Sequence, residues 1–167
     1  MDSLDIRDAR AADAARLAEI YNHYVARTVV TFEVDPVDTD EMRGRVAAVQ
    51  GDGLPWLVVG DDAADVIGYA YATHWRARAA YRHSVESSIY LAPDAVGHGI
   101  GRTLYQCLLE RLRVGGLHTV IGGAALPNPA SVALHETLGF TRVARLREVG
   151  RKFDRWIDVG YWQLQLQ

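Results

Sequence analysis

The sequence predicts an α/β (α+β) layered domain, in which helices pack on a mixed sheet. Two observations carry this. Hydrophobic periodicity switches repeatedly between a 3.6-residue repeat and a 2-residue repeat along the chain. The chain is also only 167 residues long, with no linker-like composition shift, internal repeat or low-complexity tract, so residues 1–167 are expected to form a single domain.

Leu4 to Arg7 reads as a first strand, with Asp8 placed to cap the next segment. Leu17, Ile20, Tyr21, Tyr24 and Val25 recur at i, i+3, i+4, i+7 and i+8, one face of an amphipathic helix. Val29 to Val34 reads as extended and ends before Pro36. Asp38 and Glu41 have capping-box spacing, and Met42, Val46 and Val49 form the inner face of the helix they open. Gly51-Asp52-Gly53 stops it. Trp56 to Val59 is a continuous apolar run, the pattern of a strand buried on both faces. Gly60-Asp61-Asp62 turns the chain into a partner strand, Val66 to Thr73, and His74 to Ala80 reads as a loop.

Ser84 to Leu91 is a further strand. Val85, Ser87, Ile89 and Leu91 point one way, and Glu86, Ser88 and Tyr90 the other. After Pro93, the stretch Gly97 to Gly101 opens a helix that runs to Val114. Leu104, Cys107, Leu108 and Leu112 form its buried stripe, and Gly115-Gly116 end it. Thr119 to Ala125 is a strand, Pro127-Asn128-Pro129 a turn, and Ser131 to Leu138 a short helix closed by Gly139. Arg142 to Glu148 and Trp156 to Leu166 read as two long strands around a polar turn. In the second, the apolar phase switches from Ile157, Val159 and Tyr161 to Trp162, Leu164 and Leu166. Either a bulge near Gly160 or burial of both faces explains the switch.

Composition narrows the function. Hydrophobic residues are 49% and charged residues 23% of the chain, an ordinary soluble globular balance. The net charge of −3 argues against a nucleic-acid partner, which usually requires a basic excess. No apolar run approaches the roughly 20 residues that span a bilayer. Met1-Asp2-Ser3-Leu4-Asp5 is acidic without an apolar core, so no signal peptide is expected. With the single cysteine, Cys107, no internal disulfide forms, and a cytoplasmic location is the simplest expectation. The six histidines show no paired metal spacing, so no metal is expected.

Two stretches carry chemistry. In Ile89-Tyr90-Leu91-Ala92-Pro93-Asp94-Ala95-Val96-Gly97-His98-Gly99-Ile100-Gly101-Arg102, a strand runs into a glycine-rich turn and a helix start. Backbone N–H groups there can receive an anion, although a plain tight turn has the same signature. No Gly-Lys-Ser/Thr comes after it, which argues against a nucleotide P-loop. About 30 residues on lies Asn128-Pro129-Ala130-Ser131-Val132-Ala133-Leu134-His135-Glu136-Thr137-Leu138-Gly139-Phe140.

The pair resembles the acetyl-CoA-binding core of the GNAT superfamily of N-acetyltransferases. Ile20-Tyr21-Asn22-His23-Tyr24, Thr31-Phe32-Glu33, the run from Trp75 to Tyr81, the run from Val85 to Leu91, and the tail from Phe153 to Leu164 narrow it. Together they resemble the phosphinothricin and methionine sulfoximine/sulfone acetyltransferase branch over essentially the whole chain. The resemblance implies a mixed, mostly antiparallel central sheet flanked by helices, and acetyl-CoA as co-substrate. It also implies a small amino-acid-like amine as acceptor, and a homodimer. The coenzyme is then expected along Ile89, Tyr90 and Leu91, the turn residues Gly97, His98, Gly99, Ile100, Gly101 and Arg102, and Asn128 and Ser131. One departure stands out. Where the superfamily usually carries Gln or Arg and then a basic residue, this chain has Val96 and Gly97, leaving backbone N–H groups and Arg102 to meet the pyrophosphate.

An amine attacks a thioester only as the free base, so a nearby carboxylate or imidazole is useful. The donor is already activated, so neither a metal nor a covalent enzyme intermediate is required. Periodicity alone puts Glu86 on the polar side of its strand, where a solvated carboxylate is the ordinary outcome. The resemblance instead makes it the catalytic base, with a pKa lifted from ~4.3 by an apolar setting. His135 is the candidate acid for the leaving thiol, or an assisting base through water; a half-buried structural histidine is the plain alternative. The main-chain N–H of Leu91 is expected to contribute to the oxyanion site. Phe32, Arg76, Arg78, Tyr81 and Ser87, with Glu86, are expected around the substrate, the arginines as carboxylate partners. Solvated loop charges are the alternative for the arginines, and core packing for Phe32 and Tyr81. Other acceptors, namely a peptide, a polyamine or an aminoglycoside, stay open. So does a non-catalytic module that senses acetyl-CoA.

Overall fold

The computed structural model describes residues 4–60 and 65–167. Its strands are β1 (Asp5–Asp8), β2 (Trp56–Gly60), β3 (Val66–His74), β4 (Ser84–Leu91), β5 (Thr119–Leu126), β6 (Thr141–Lys152) and β7 (Arg155–Gln165). Its helices are α1 (Ala14–Arg27), α2 (Thr39–Gly51), α3 (Ile100–Val114) and α4 (Pro129–Thr137). The strands form one sheet in the order β1-β2-β3-β4-β5-β7-β6. Every neighbouring pair is antiparallel except β4 with β5. The mixed, mostly antiparallel sheet implied by the resemblance is therefore present.

Two helical layers cover the sheet. On β4, Ser87 turns toward α3, and its Oγ lies 2.5 Å from the Tyr105 hydroxyl. The alternate residue Tyr90 meets Tyr21 and Tyr24 of α1, with ring centroids 5.2 and 5.4 Å apart. Helix α2 packs beside α1, with the Arg45 guanidinium 5.9 Å from the Tyr21 ring centre. The core follows the sequence pattern. Strand β2 is buried along its whole length, as its unbroken apolar run requires. Leu17, Ile20, Tyr21 and Val25 are buried on α1, and Met42, Val46 and Val49 on α2. Leu104, Leu108 and Leu112 of α3 are fully buried, each contributing about 1.5–3 kcal/mol of hydrophobic stabilisation. The expected stripe gains Tyr105 and loses Cys107, which is half-buried. Among the described residues, no helix is long and apolar enough to cross a membrane.

Four local expectations are corrected. Asp8 caps nothing; its carboxylate pairs with Arg111 of α3 at 2.6 Å. The turn before α1 is organised by Asp13, which accepts from the Arg10 amide at 2.7 Å and from both Arg7 terminal nitrogens. Val29 to Val34 joins no strand and forms an irregular strap held by side chains. β6 continues past Glu148 to Lys152, and the polar turn narrows to Phe153-Asp154, both at positive φ. The polar residues near Glu148 mark a bulge, with φ 51° and a register shift between Leu146 and Gly150. β7 itself pairs evenly with β5 through Gly160, so its phase switch reflects burial of both faces, Ile157 on one and Trp162 on the other. Of the turn expected at Gly60-Asp61-Asp62, Asp61 and Asp62 lie outside the described residues.

The capping box opening α2 is half realised: the Asp38 carboxylate accepts from the Glu41 amide at 2.8 Å. Removing that acceptor strands a donor in the first turn of α2. Asp38→Ala is expected to cost about 1 kcal/mol in urea unfolding.

Candidate active site

The parallel ladder between β4 and β5 covers only Ser84–Ser87 against Thr119–Gly122. Beyond it β4 stays with β3 as far as Leu91 opposite Gly68, while β5 stays with β7 as far as Leu126 opposite Asp158. The sheet thus splits, and a cavity of about 380 Å³ opens at the split. The Ala92 amide donates to Ile67 O on β3. Strand alternation therefore turns the Ile89 and Leu91 amides to the other edge, toward the gap. Two N–H groups that an unbroken sheet would consume face the gap instead; Ile89 lines the cavity, and Leu91 lies past its wall at the end of β4.

Glu86 lies on the α1 side of the gap and lines the cavity. Burial pushes its carboxyl above the ordinary glutamate pKa, partly opposed by the positive charge of Arg76. The solvated carboxylate suggested by periodicity is not what forms. Tyr161 of β7 stands beside it and meets Trp75 edge to face at 5.8 Å. Arg76 lies over the Trp75 ring at 5.1 Å. Gly123 makes this crowding possible: a Cβ there would sit 3.1 Å from the Tyr161 ring and 3.5 Å from Glu86 Oε1.

His135 lies on the opposite, α3–α4 side and is 4% exposed. Its Nδ1 is 2.7 Å from the Ser131 carbonyl, and its Nε2 is 3.3 Å from the Tyr105 hydroxyl. Trp162 stacks against its ring, and Phe140 meets it edge to face. Burial pushes the imidazole below its ordinary pKa, against the opposing pull of the Ser131 carbonyl. A Cβ on Gly122 would lie 2.3 Å from Nε2, so the ring occupies space that only glycine leaves. Glu86 and His135 therefore face one cavity from opposite sides of the sheet.

The strap supplies Val30, Thr31 and Phe32 to the cavity wall. It is tied at several points. The Arg45 fork meets both Glu33 carboxylate oxygens, at 2.6 and 2.8 Å, and holds that carboxyl below its usual range. The Tyr21 hydroxyl lies 2.8 Å from Thr31 Oγ1 and also donates to Glu33; burial and that carboxylate push it up to about 12. Lys152, buried near the hairpin turn, donates to Thr31 O at 2.9 Å. The Phe32 ring rests on Gly150, where a Cβ would be 2.2 Å away.

Of the residues expected at the site, Phe32, Glu86, Ser87, Ile89, Tyr90, Asn128, Ser131 and His135 come together around the cavity. The glycine turn lies beyond it, along the end of β4. Gly97 and Gly99 are at positive φ, 88° and 78°, which side-chain-bearing residues avoid. Gly101 packs against Leu91 and Ile89, where a Cβ would be 3.4 and 3.8 Å from their side chains. His98, Ile100 and Arg102 share that turn and helix start. Asn128 also caps α4, its Oδ1 accepting from the Ser131 amide at 3.1 Å. Arg76, Arg78 and Tyr81 are outside the cavity wall; Arg76 acts on Glu86 through its charge, and Tyr81 is exposed. Sequence reasoning missed Tyr105, Tyr161 and the pair Gly122-Gly123. The glycine pair inside a strand was the available signal, because such glycines mark close approach. Among the described residues, no cluster of three or more His, Cys, Asp or Glu is placed to hold a metal.

The two glycines differ in what surrounds them. His135 is enclosed and cannot yield, so Gly122→Ala is expected to cost about 1–3 kcal/mol in urea unfolding. Gly123→Ala meets contacts above 3 Å and is expected to cost less in the same measurement.

Residues 6–160 match the family model described as an acetyltransferase (GNAT) domain. The phosphinothricin N-acetyltransferase of Alcaligenes faecalis is 43% identical over 162 residues, covering 96% of this chain and 82% of the relative. The L-methionine sulfoximine/L-methionine sulfone acetyltransferase of Pseudomonas paraeruginosa is 39% identical over 164 residues, covering 98% and 95%. A crystal structure of a GNAT superfamily phosphinothricin acetyltransferase from Sinorhizobium meliloti, in complex with AcCoA, matches with a TM-score of 0.95 at 40% identity. That match covers 98% of this chain and 88% of the other. With a split sheet, a positive-φ glycine turn and relatives of this similarity, the chain belongs to the GNAT family of acetyltransferases and is an enzyme of that family.

Proposed function

We propose that this enzyme moves the acetyl group of acetyl-CoA to the α-amine of a small amino-acid-like substrate of the phosphinothricin, methionine sulfoximine or methionine sulfone type. The observation that carries this reading is Glu86, a half-buried carboxylate with an elevated pKa, facing the split between β4 and β5. The relatives named for those substrates support the acceptor class. The glycine turn, the gap-facing amides of Ile89 and Leu91, and Asn128 and Ser131 suit the coenzyme along the α3–α4 side.

In this reading Glu86 takes the ammonium proton, so that the free amine attacks the thioester carbon. The amides of Ile89 and Leu91 meet the oxygen on which charge develops. The carbon–sulfur bond then breaks, and the thiolate leaves on the His135 side. Phe32 and Tyr161 wall the acceptor, and Arg76 offers its charge to a substrate carboxylate. Arg78 and Tyr81 would contribute only from outside the cavity wall. Among the described residues lining the cavity, Glu86 is the one carboxylate, which disfavours a polycationic acceptor.

The test is release of CoA thiol with a panel of amines, run on the wild type and on Glu86→Gln. The panel holds the three compounds above, common amino acids, a polyamine, an aminoglycoside and a peptide. Fast release with the three compounds, reduced about 100-fold or more in the variant, is expected. Release only with a polycation or a peptide overturns the acceptor class. Coenzyme binding without turnover of any amine favours the sensor. Stability gives a second readout. A carboxyl whose folded pKa is raised is most favourable when protonated, and loses stability as pH rises through that value. Glu86→Gln is therefore expected to raise the melting temperature at pH 7, with the gain vanishing near pH 4.

We also propose a homodimer joined through the β6–β7 hairpin. Val143, Leu146, Val149, Phe153 and Trp156 are exposed along it, more apolar surface than a hairpin in water needs. Sedimentation is expected to give two chains for the wild type and one for Trp156→Glu.

A further inference from the structure

The coenzyme side of the gap contains a chain of hydrogen bonds whose direction is determined at one end. The Ser131 carbonyl can only accept, so His135 Nδ1, 2.7 Å away, carries a proton. In the neutral ring Nε2 is then an acceptor, so the Tyr105 hydroxyl, 3.3 Å away, must donate to it. The Tyr105 oxygen is left to accept from Ser87 Oγ at 2.5 Å, a shorter contact than the 3.4 Å from Ser87 Oγ to Ile121 O. The order is Ser87 to Tyr105 to His135 to the Ser131 carbonyl, and Ser87, Tyr105, Ser131 and His135 all line the cavity.

We infer that Tyr105 is a positioning residue of the transfer reaction: its hydroxyl donates to the Nε2 that the Ser131 carbonyl leaves unprotonated, and it aims the Ser87 hydroxyl away from the gap. This rests on the acetyl-transfer reading above. A proton gained at Nε2 reverses the chain. Nε2 then donates to the Tyr105 oxygen, the Tyr105 hydroxyl turns to Ser87, and Ser87 is free to donate into the gap where the thiolate leaves. The charge on His135 is thereby transmitted to the gap through Tyr105. Burial favours the neutral imidazole and keeps the Tyr105 hydroxyl protonated, so the resting chain has the first direction. The other groups around the ring do not compete for Nε2. Gly122 presents backbone, Phe140 an edge and Trp162 a face. The nearby charges act at one remove, Glu136 accepting from the Trp162 indole at 3.4 Å and Arg142 lying over that ring at 5.7 Å. Glu86 is on the other side of the sheet.

The test combines nitrogen NMR of the His135 ring with kinetics of Tyr105→Phe, which keeps the aromatic contacts and removes the hydroxyl. In the wild type, His135 is expected as the Nδ1–H tautomer with Nε2 unprotonated. The opposite tautomer overturns the proposal, whether or not the variant folds. In Tyr105→Phe the protonated ring loses the acceptor that the reversed chain gives it, a stronger bond than the neutral ring loses, so the His135 titration is expected to move to lower pH. kcat is expected to fall roughly 10- to 100-fold, with the acetyl-CoA KM within about threefold of wild type. An unchanged titration, or an unchanged kcat alongside full wild-type turnover, overturns it. Should the wild type turn over no amine, the acetyl-transfer reading fails separately, and the two NMR readouts still decide the role of Tyr105.

Discussion

The parallel ladder between β4 and β5 stops at Ser87 and Gly122, and the remaining features of the site depend on that interruption. Each strand keeps its other neighbour, so the sheet holds together while its middle opens. A buried amide without a partner costs about 1–3 kcal/mol, so a strand edge is rarely left idle inside a protein. Here the Ile89 and Leu91 amides face the gap instead of a strand, and Ile89 lines the cavity, which leaves its amide available to a ligand oxygen. The interruption also joins the two faces of the sheet. One cavity is reached by Glu86 from the α1 side and by His135 from the α3–α4 side.

Burial acts on these two groups in opposite senses. It raises the carboxyl and lowers the imidazole, because in each case it penalises the charged form. Their proton affinities are thereby drawn toward each other, and the carboxyl moves toward neutrality, the range in which a general base at ordinary pH is efficient. Neither shift needs a charged partner as its main cause. The Gly122-Gly123 pair sets both environments, one glycine beneath each group.

The strap wall of the cavity is assembled from parts distant in the chain. The strap from Val30 to Phe32 has no strand partner, so its position comes from side chains: Arg45 of α2 on Glu33, Tyr21 of α1 on Thr31, and Lys152 of β6 on the Thr31 carbonyl. The Arg45 fork is partly solvated, so its value lies more in geometry than in energy. Lys152 is different. At 3% exposure, its amine is retained by one carbonyl and by the charge of Glu33.

Much of this was legible in the residues alone. Period and capping fixed the helices, since Leu17, Ile20, Tyr21 and Val25 can be buried together only on a helix, and Asp38 is suited to a cap. The glycine turn was legible because positive φ restricts residue choice at Gly97 and Gly99. Glu86 shows the limit. Alternation placed it on the correct face of β4 but described that face as solvated, because a pattern of polar residues does not reveal a cavity. The hairpin shows another limit: the polar residues around Glu148 suit a bulge as well as a turn, and only pairing with β7 distinguishes them. Tyr105 carries no signal of its own in the sequence, and Tyr161 reads only as part of an apolar phase, until Ser87, His135 and Glu86 stand beside them. The sequence by itself determined the elements, the family resemblance and the chemistry available, because these depend on local periodicity and residue type. Only the tertiary structure decided where β4 and β5 part, which way the His135 hydrogen bonds run and what holds the strap, because each is a contact between residues far apart in the chain.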